Sequence, residues 1–152
     1  MTETVILSAI IGFFGLSITL VYNNFNRKMS NDKMQKELFT EFNVRYDKLN
    51  ESLYKIQLEC QTIDDIENNS ELKLKLMDFF NLCSEEFYWF YHKKRIDPMI
   101  WHCWQQGMNY WYNSVPVIKE MWKLEMNLSG KQSYYITNKI EFFKDEIKNN
   151  MY

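Results

Sequence analysis

No charged side chain occurs between Thr4 and Asn26, and the centre of that stretch, Val5 to Tyr22, reads VILSAIIGFFGLSITLVY. A helix rises about 1.5 Å per residue, so a run of this length covers roughly 27 Å, close to the hydrocarbon thickness of a bilayer. A segment crossing lipid must satisfy its own backbone hydrogen bonds, which restricts a lone span to an α-helix. The stretch is therefore read as one transmembrane helix. A cleaved signal peptide would start with basic residues and end at a small-residue cleavage site. This chain instead starts Met1-Thr2-Glu3, and Asn23-Asn24-Phe25-Asn26 follows the apolar run.

The flanks give an orientation. Arg27, Lys28, Lys33 and Lys36 follow the span, and no Lys or Arg precedes it. The positive-inside rule then places residues 27–152 in the cytoplasm and the N-terminus outside. Three widely spaced cysteines, Cys60, Cys83 and Cys103, suit reduced thiols better than a disulfide frame. Matches to the glycosylation pattern at Asn50, Asn68 and Asn127 are then chance.

Within the span, Thr4, Ser8, Gly12, Gly15 and Thr19, with Asn26 beyond it, recur by threes and fours and so share one narrow stripe. Ile6, Phe13 and Leu20 lie opposite. Small and hydroxyl residues let helices approach closely in lipid, which makes the stripe a candidate self-association face. The same stripe could line a narrow water path in a ring of helices. It is equally compatible with a plain anchor, because Gly is common in membrane helices.

Residues 27–152 suffice for one domain with a real core. A net charge of −2, with 18 basic and 20 acidic residues, gives no excess for binding nucleic acid by charge alone. RNA stays open, and DNA is not expected as a partner. Only Pro98, Pro116, Gly107 and Gly130 interrupt this part of the chain, and no strand-like alternation occurs. The expectation is an all-α protein: an anchor and oligomerisation helix over 1–26, then a small antiparallel helical bundle over 27–152.

Helix A continues from the span to about Cys60, with Phe39, Phe42, Tyr46, Leu49, Leu53, Ile56 and Cys60 as its apolar stripe. An acidic loop, 61–70, precedes helix B, about Glu71 to His92, with Ser70 as its cap and Leu76, Phe80, Cys83, Phe87 and Phe90 facing inward. Asp97 followed by Pro98 marks the start of helix C, which runs to about Asn113. Helix D covers about Val117 to Met126 and helix E about Tyr134 to Asn150.

Helix C has two faces. His102, Gln106, Asn109 and Asn113 share a polar stripe, while Trp101, Trp104, Met108 and Trp111 share an apolar one. Arg95 stands seven positions before His102, across a turn into a helix start. An imidazole exchanges a proton near neutral pH and a guanidinium holds a phosphate, so the two could serve metal-independent RNA cleavage. Arg95 could equally close the turn, with His102 merely solvated. The many rings between Phe79 and Tyr112 are first a packing signal. Trp101, Trp104 and Trp111 are also candidate interface anchors. Stacking on bases would need a basic track, and Lys93, Lys94 and Arg95 are a short one.

Glu85 and Glu86 are adjacent, point apart on a helix and make a poor acid-base pair. Cys60, Cys83, His92, His102 and Cys103 lack zinc-site spacing, and no phosphate loop or dinucleotide turn occurs. Neither a metal nor another cofactor is expected.

Arg95 and His102, in an all-helical setting, resemble the HEPN superfamily, whose signature is Arg, four to six residues, then His. Ile96 departs from the polar residue common after that Arg. With the N-terminal span, the layout is similar to a small membrane accessory protein encoded beside the RNA-guided ribonuclease of type VI-B CRISPR loci. That resemblance implies antiviral defence at the bacterial inner membrane, a homo-oligomer that forms a pore or perturbs the bilayer, and an RNA-guided effector as partner. A HEPN-type ribonuclease using Arg95 and His102 is the enzymatic alternative. A non-catalytic membrane anchor for a protein partner is the third.

Overall fold

The structure, a computed structural model, describes residues 2–128, 130–136 and 140–145. Among them the α-helices are α1 (Thr2–Glu59), α2 (Ile63–Glu67), α3 (Ser70–Phe87), α4 (Pro98–Ser114) and α5 (Pro116–Leu128), with no strand. A π-turn, Tyr88–His92, extends α3, and a 3-10 turn spans Lys131–Tyr134. Packing divides the chain into two units between Leu38 and Phe39. Residues 27–33 are all exposed and give no second element a place to dock.

In the first unit the apolar run is helical and bare. Phe13, Leu16, Leu20 and Val21 are each 68–71% exposed. This helix is long and apolar enough to cross a membrane.

The second unit has an aromatic core. Trp122 of α5 meets Phe80 of α3 at 5.0 Å, Tyr134 at 5.0 Å and Phe142 at 5.1 Å between ring centroids. The expected α1 stripe is buried at Phe42, Leu49, Leu53, Ile56 and Cys60, while Phe39 stays exposed. Helix α1 meets α4 in parallel register: Asn43 pairs with Trp104, and Tyr46 with Trp111. Each fully buried large apolar side chain is worth about 1.5–3 kcal/mol, so this core is the main source of stability.

Local chemistry sets the helix boundaries. Asp97 caps α4 by accepting the Met99 N–H at 2.8 Å, and Pro98 occupies the first turn, as its sequence implies. Three expectations change. The acidic loop contains α2, because Thr62 and Asp65 form a reciprocal capping box. Asn69 rather than Ser70 caps α3, with its Oδ1 accepting from Leu72 N–H at 3.1 Å.

The third change is the largest. Helix E is absent from the described residues 135–136 and 140–145, which are irregular, while 137–139 and 146–150 lie outside the described residues. Phe142 and Phe143 are 0% and 5% exposed there. Amide side chains of α4 hold that segment by its backbone. Gln105 Nε2 donates to the Phe142 carbonyl at 3.1 Å, and Asn113 Nδ2 donates to that of Lys144 at 3.0 Å. Asn109 Oδ1 accepts from Lys144 N–H at 2.8 Å. These contacts supply partners that a helix would otherwise have given the backbone.

Candidate functional site

On the membrane-span candidate, Ser8, Gly12, Gly15 and Thr19 are all exposed. A β-carbon added at Gly12 or Gly15 would meet nothing within 4 Å, so both glycines leave an open shelf on the helix. The Thr19 hydroxyl donates to the Gly15 carbonyl at 2.8 Å, and Ser17 donates to Phe13 at 2.9 Å. Each hydroxyl proton is thereby satisfied within the helix, which lowers its cost in lipid. The side chain of Thr4 lies outside the described residues.

The Arg95–His102 element sits at the turn into α4. The π-turn widens the end of α3, with Lys93 N–H donating to the Tyr88 carbonyl at 3.0 Å and Arg95 N–H to that of Trp89 at 2.9 Å. Lys94 then adopts φ 53°, the left-handed region that reverses the chain. Ile96 is buried and pins the turn, while Arg95 remains at the surface. A buried anchor is thus a structural reason for an apolar residue after Arg95. His102, one turn into α4, is exposed. Arg95 thus lies in the turn before α4, and His102 lies in the helix itself.

The three tryptophans separate. Trp101 is 7% exposed and stacks on Phe90, ring centroids 4.8 Å apart. Trp111 is 2% exposed and donates its indole N–H to the Tyr46 hydroxyl at 2.7 Å. Both rings are packed against partners within the chain. Trp104 is half-buried, stacks on Phe39 and donates to Asn43 Oδ1 at 3.3 Å.

The adjacent glutamates do diverge. Glu85 takes a two-pronged hydrogen bond from Arg45, at 2.6 and 3.0 Å. Glu86 turns inward and is 5% exposed. Burial is the main cause that pushes its carboxyl up to about 8, against a smaller opposing pull from Arg45 and a push from Glu85. Burial likewise raises the Cys83 thiol well above its usual range. No group of three metal-ligating side chains gathers among the described residues.

As an acid-base couple Glu85 and Glu86 carry no signal in the sequence, so Glu86 does not stand out there. Helical position does single it out: Cys83 and Glu86 lie three apart, and Cys83 belongs to the inward stripe of helix B. Comparison with protein-family models, curated proteins and solved structures finds no match to this chain.

Proposed function

We propose that this is a single-pass membrane protein that self-associates through the Ser8, Gly12, Gly15 and Thr19 stripe. Its work is to open or perturb the bacterial inner membrane in antiviral defence, as accessory to an RNA-guided effector. The N-terminus lies outside and the helical domain lies in the cytoplasm. One observation carries the reading: the most apolar stretch of the chain forms a helix that has none of its residues buried in the fold. Exposed apolar area on this scale calls for lipid or another copy of itself. The open shelf at Gly12 and Gly15 favours close approach of a second helix. The role in defence rests on the resemblance carried by Arg95, His102 and the span.

The test is dye release from vesicles by the purified full chain. Release by the parent that is lost in Gly12→Leu supports the proposal. Intact vesicles together with RNA cleavage that disappears in His102→Ala would replace it with the nuclease reading. Intact vesicles, no RNA cleavage and a stably co-purifying protein would replace it with the plain anchor.

A further inference from the structure

Between α1, α3 and α4 lies a cavity of about 130 Å³. Asn43, Tyr46, Cys83, Glu86, Cys103 and Trp104 line it, with apolar side chains completing the wall. Its volume approaches the roughly 150 Å³ of an engineered cavity that holds benzene, so an occupant of five or six heavy atoms is the right scale.

Glu86 gives the cavity its chemistry. Its side chain is almost wholly buried, yet its carboxyl group has no hydrogen bond or ion pair with any described residue. No described side-chain oxygen that is sealed from solvent lacks a partner, so this carboxyl keeps its contact with the open volume of the cavity. Nearby groups are already engaged. Arg45 is committed to Glu85, the Asn43 oxygen accepts from Trp104, and the Tyr46 oxygen accepts from Trp111. The Tyr46 hydroxyl proton remains to be donated. A buried carboxyl group whose neighbouring cation, Arg45, is held by Glu85, beside the rings of Tyr46, Phe79 and Trp104, is the composition of an ammonium site.

We infer that this cavity binds a small organic cation, a primary alkylammonium of about five or six heavy atoms, with Glu86 as its counter-ion. The carboxylate neutralises the ammonium, and the apolar wall takes the alkyl part. Binding then depends on ionising Glu86, whose facing groups are Arg45 and Tyr46 from α1, Cys83 and Glu85 from α3, and Cys103 from α4. With the carboxyl near 8, about one tenth is ionised at pH 7 and about nine tenths at pH 9. An alkylammonium stays charged over that range, so binding should tighten about tenfold.

The experiment is calorimetric titration of the full chain in detergent with n-butylammonium chloride at pH 7 and pH 9. Parallel titrations use 1-butanol as the uncharged probe and Glu86→Gln as the variant. Saturable butylammonium binding, about tenfold tighter at pH 9 and lost in Glu86→Gln, is the expected result. Equal binding of 1-butanol would show a merely apolar cavity and overturn the inference. Retained butylammonium binding in Glu86→Gln, or no saturable binding at either pH, would overturn it as well.

Discussion

Glu86→Gln should stabilise the protein at neutral pH, an unusual outcome for a substitution at a buried position. The ordinary value of the carboxyl is 4.5, and the folded protein raises it to about 8. Between those values the folded state holds a proton that the unfolded state has released. Stability therefore falls as pH rises from 4.5 towards 8 and is fully recovered below 4.5. At pH 7 the interval above 4.5 is about 2.5 units, and each unit is worth about 1.4 kcal/mol. The native glutamate thus costs about 3 kcal/mol at pH 7. Glutamine keeps the shape and has no proton to release. The variant should melt on the order of 10 °C higher at pH 7 and match the parent more closely near pH 5. Melting followed by near-ultraviolet circular dichroism from pH 5 to pH 8 reads both. Parallel pH profiles for parent and variant, with no gap opening between pH 5 and pH 8, would refute the desolvation argument.

Phe142→Ala should destabilise the helical domain by about 3–5 kcal/mol, because its ring is wholly buried against Trp122 and Phe87; denaturant unfolding measures it. In phage challenge, Arg95→Ala and His102→Ala should each lose protection. Unfolding of His102→Ala should remain within ~0.5 kcal/mol of the parent, as suits an exposed side chain. Full protection by both variants would remove the Arg95–His102 element from the account. Cys103 is exposed while Cys60 and Cys83 are buried, so a membrane-impermeant maleimide should label Cys103 only after the cells are permeabilised. Labelling in intact cells would invert the topology.

Helices announced by periodicity and caps were legible in the sequence. Helix α4 is the clearest, because Asp97-Pro98 fixes its start through local chemistry alone. The apolar stripe of α1 from Phe42 onward was legible because burial repeats by threes and fours. The region after Gly130 was not. Its apolar residues suit a helix in isolation, and what overrides that preference is a set of contacts far away in sequence. Those contacts had one visible trace. Helix α4 carries no charged side chain, so Gln105, Asn109 and Asn113 form an uncharged polar face. Such amides are better suited than charged groups to pairing with a neighbouring backbone. The Arg95–His102 element was legible as a spacing, and the fold explains Ile96 between them as the buried anchor of the turn. The three tryptophans of α4 looked alike in sequence. Only packing separates the buried Trp101 and Trp111 from the half-buried Trp104.

The central claim is that copies of the chain meet through the small-residue stripe of the span, and the mass of the purified particle tests it most directly. Native mass spectrometry of the full chain released from detergent should give a defined oligomer of the 18.6 kDa protomer. Gly12→Leu and Gly15→Leu should each reduce that mass, because a bulky side chain holds helix backbones apart, while Leu20→Ile on the opposite side should leave it unchanged. A monomeric parent, or an oligomer that both glycine variants preserve, would contradict the account.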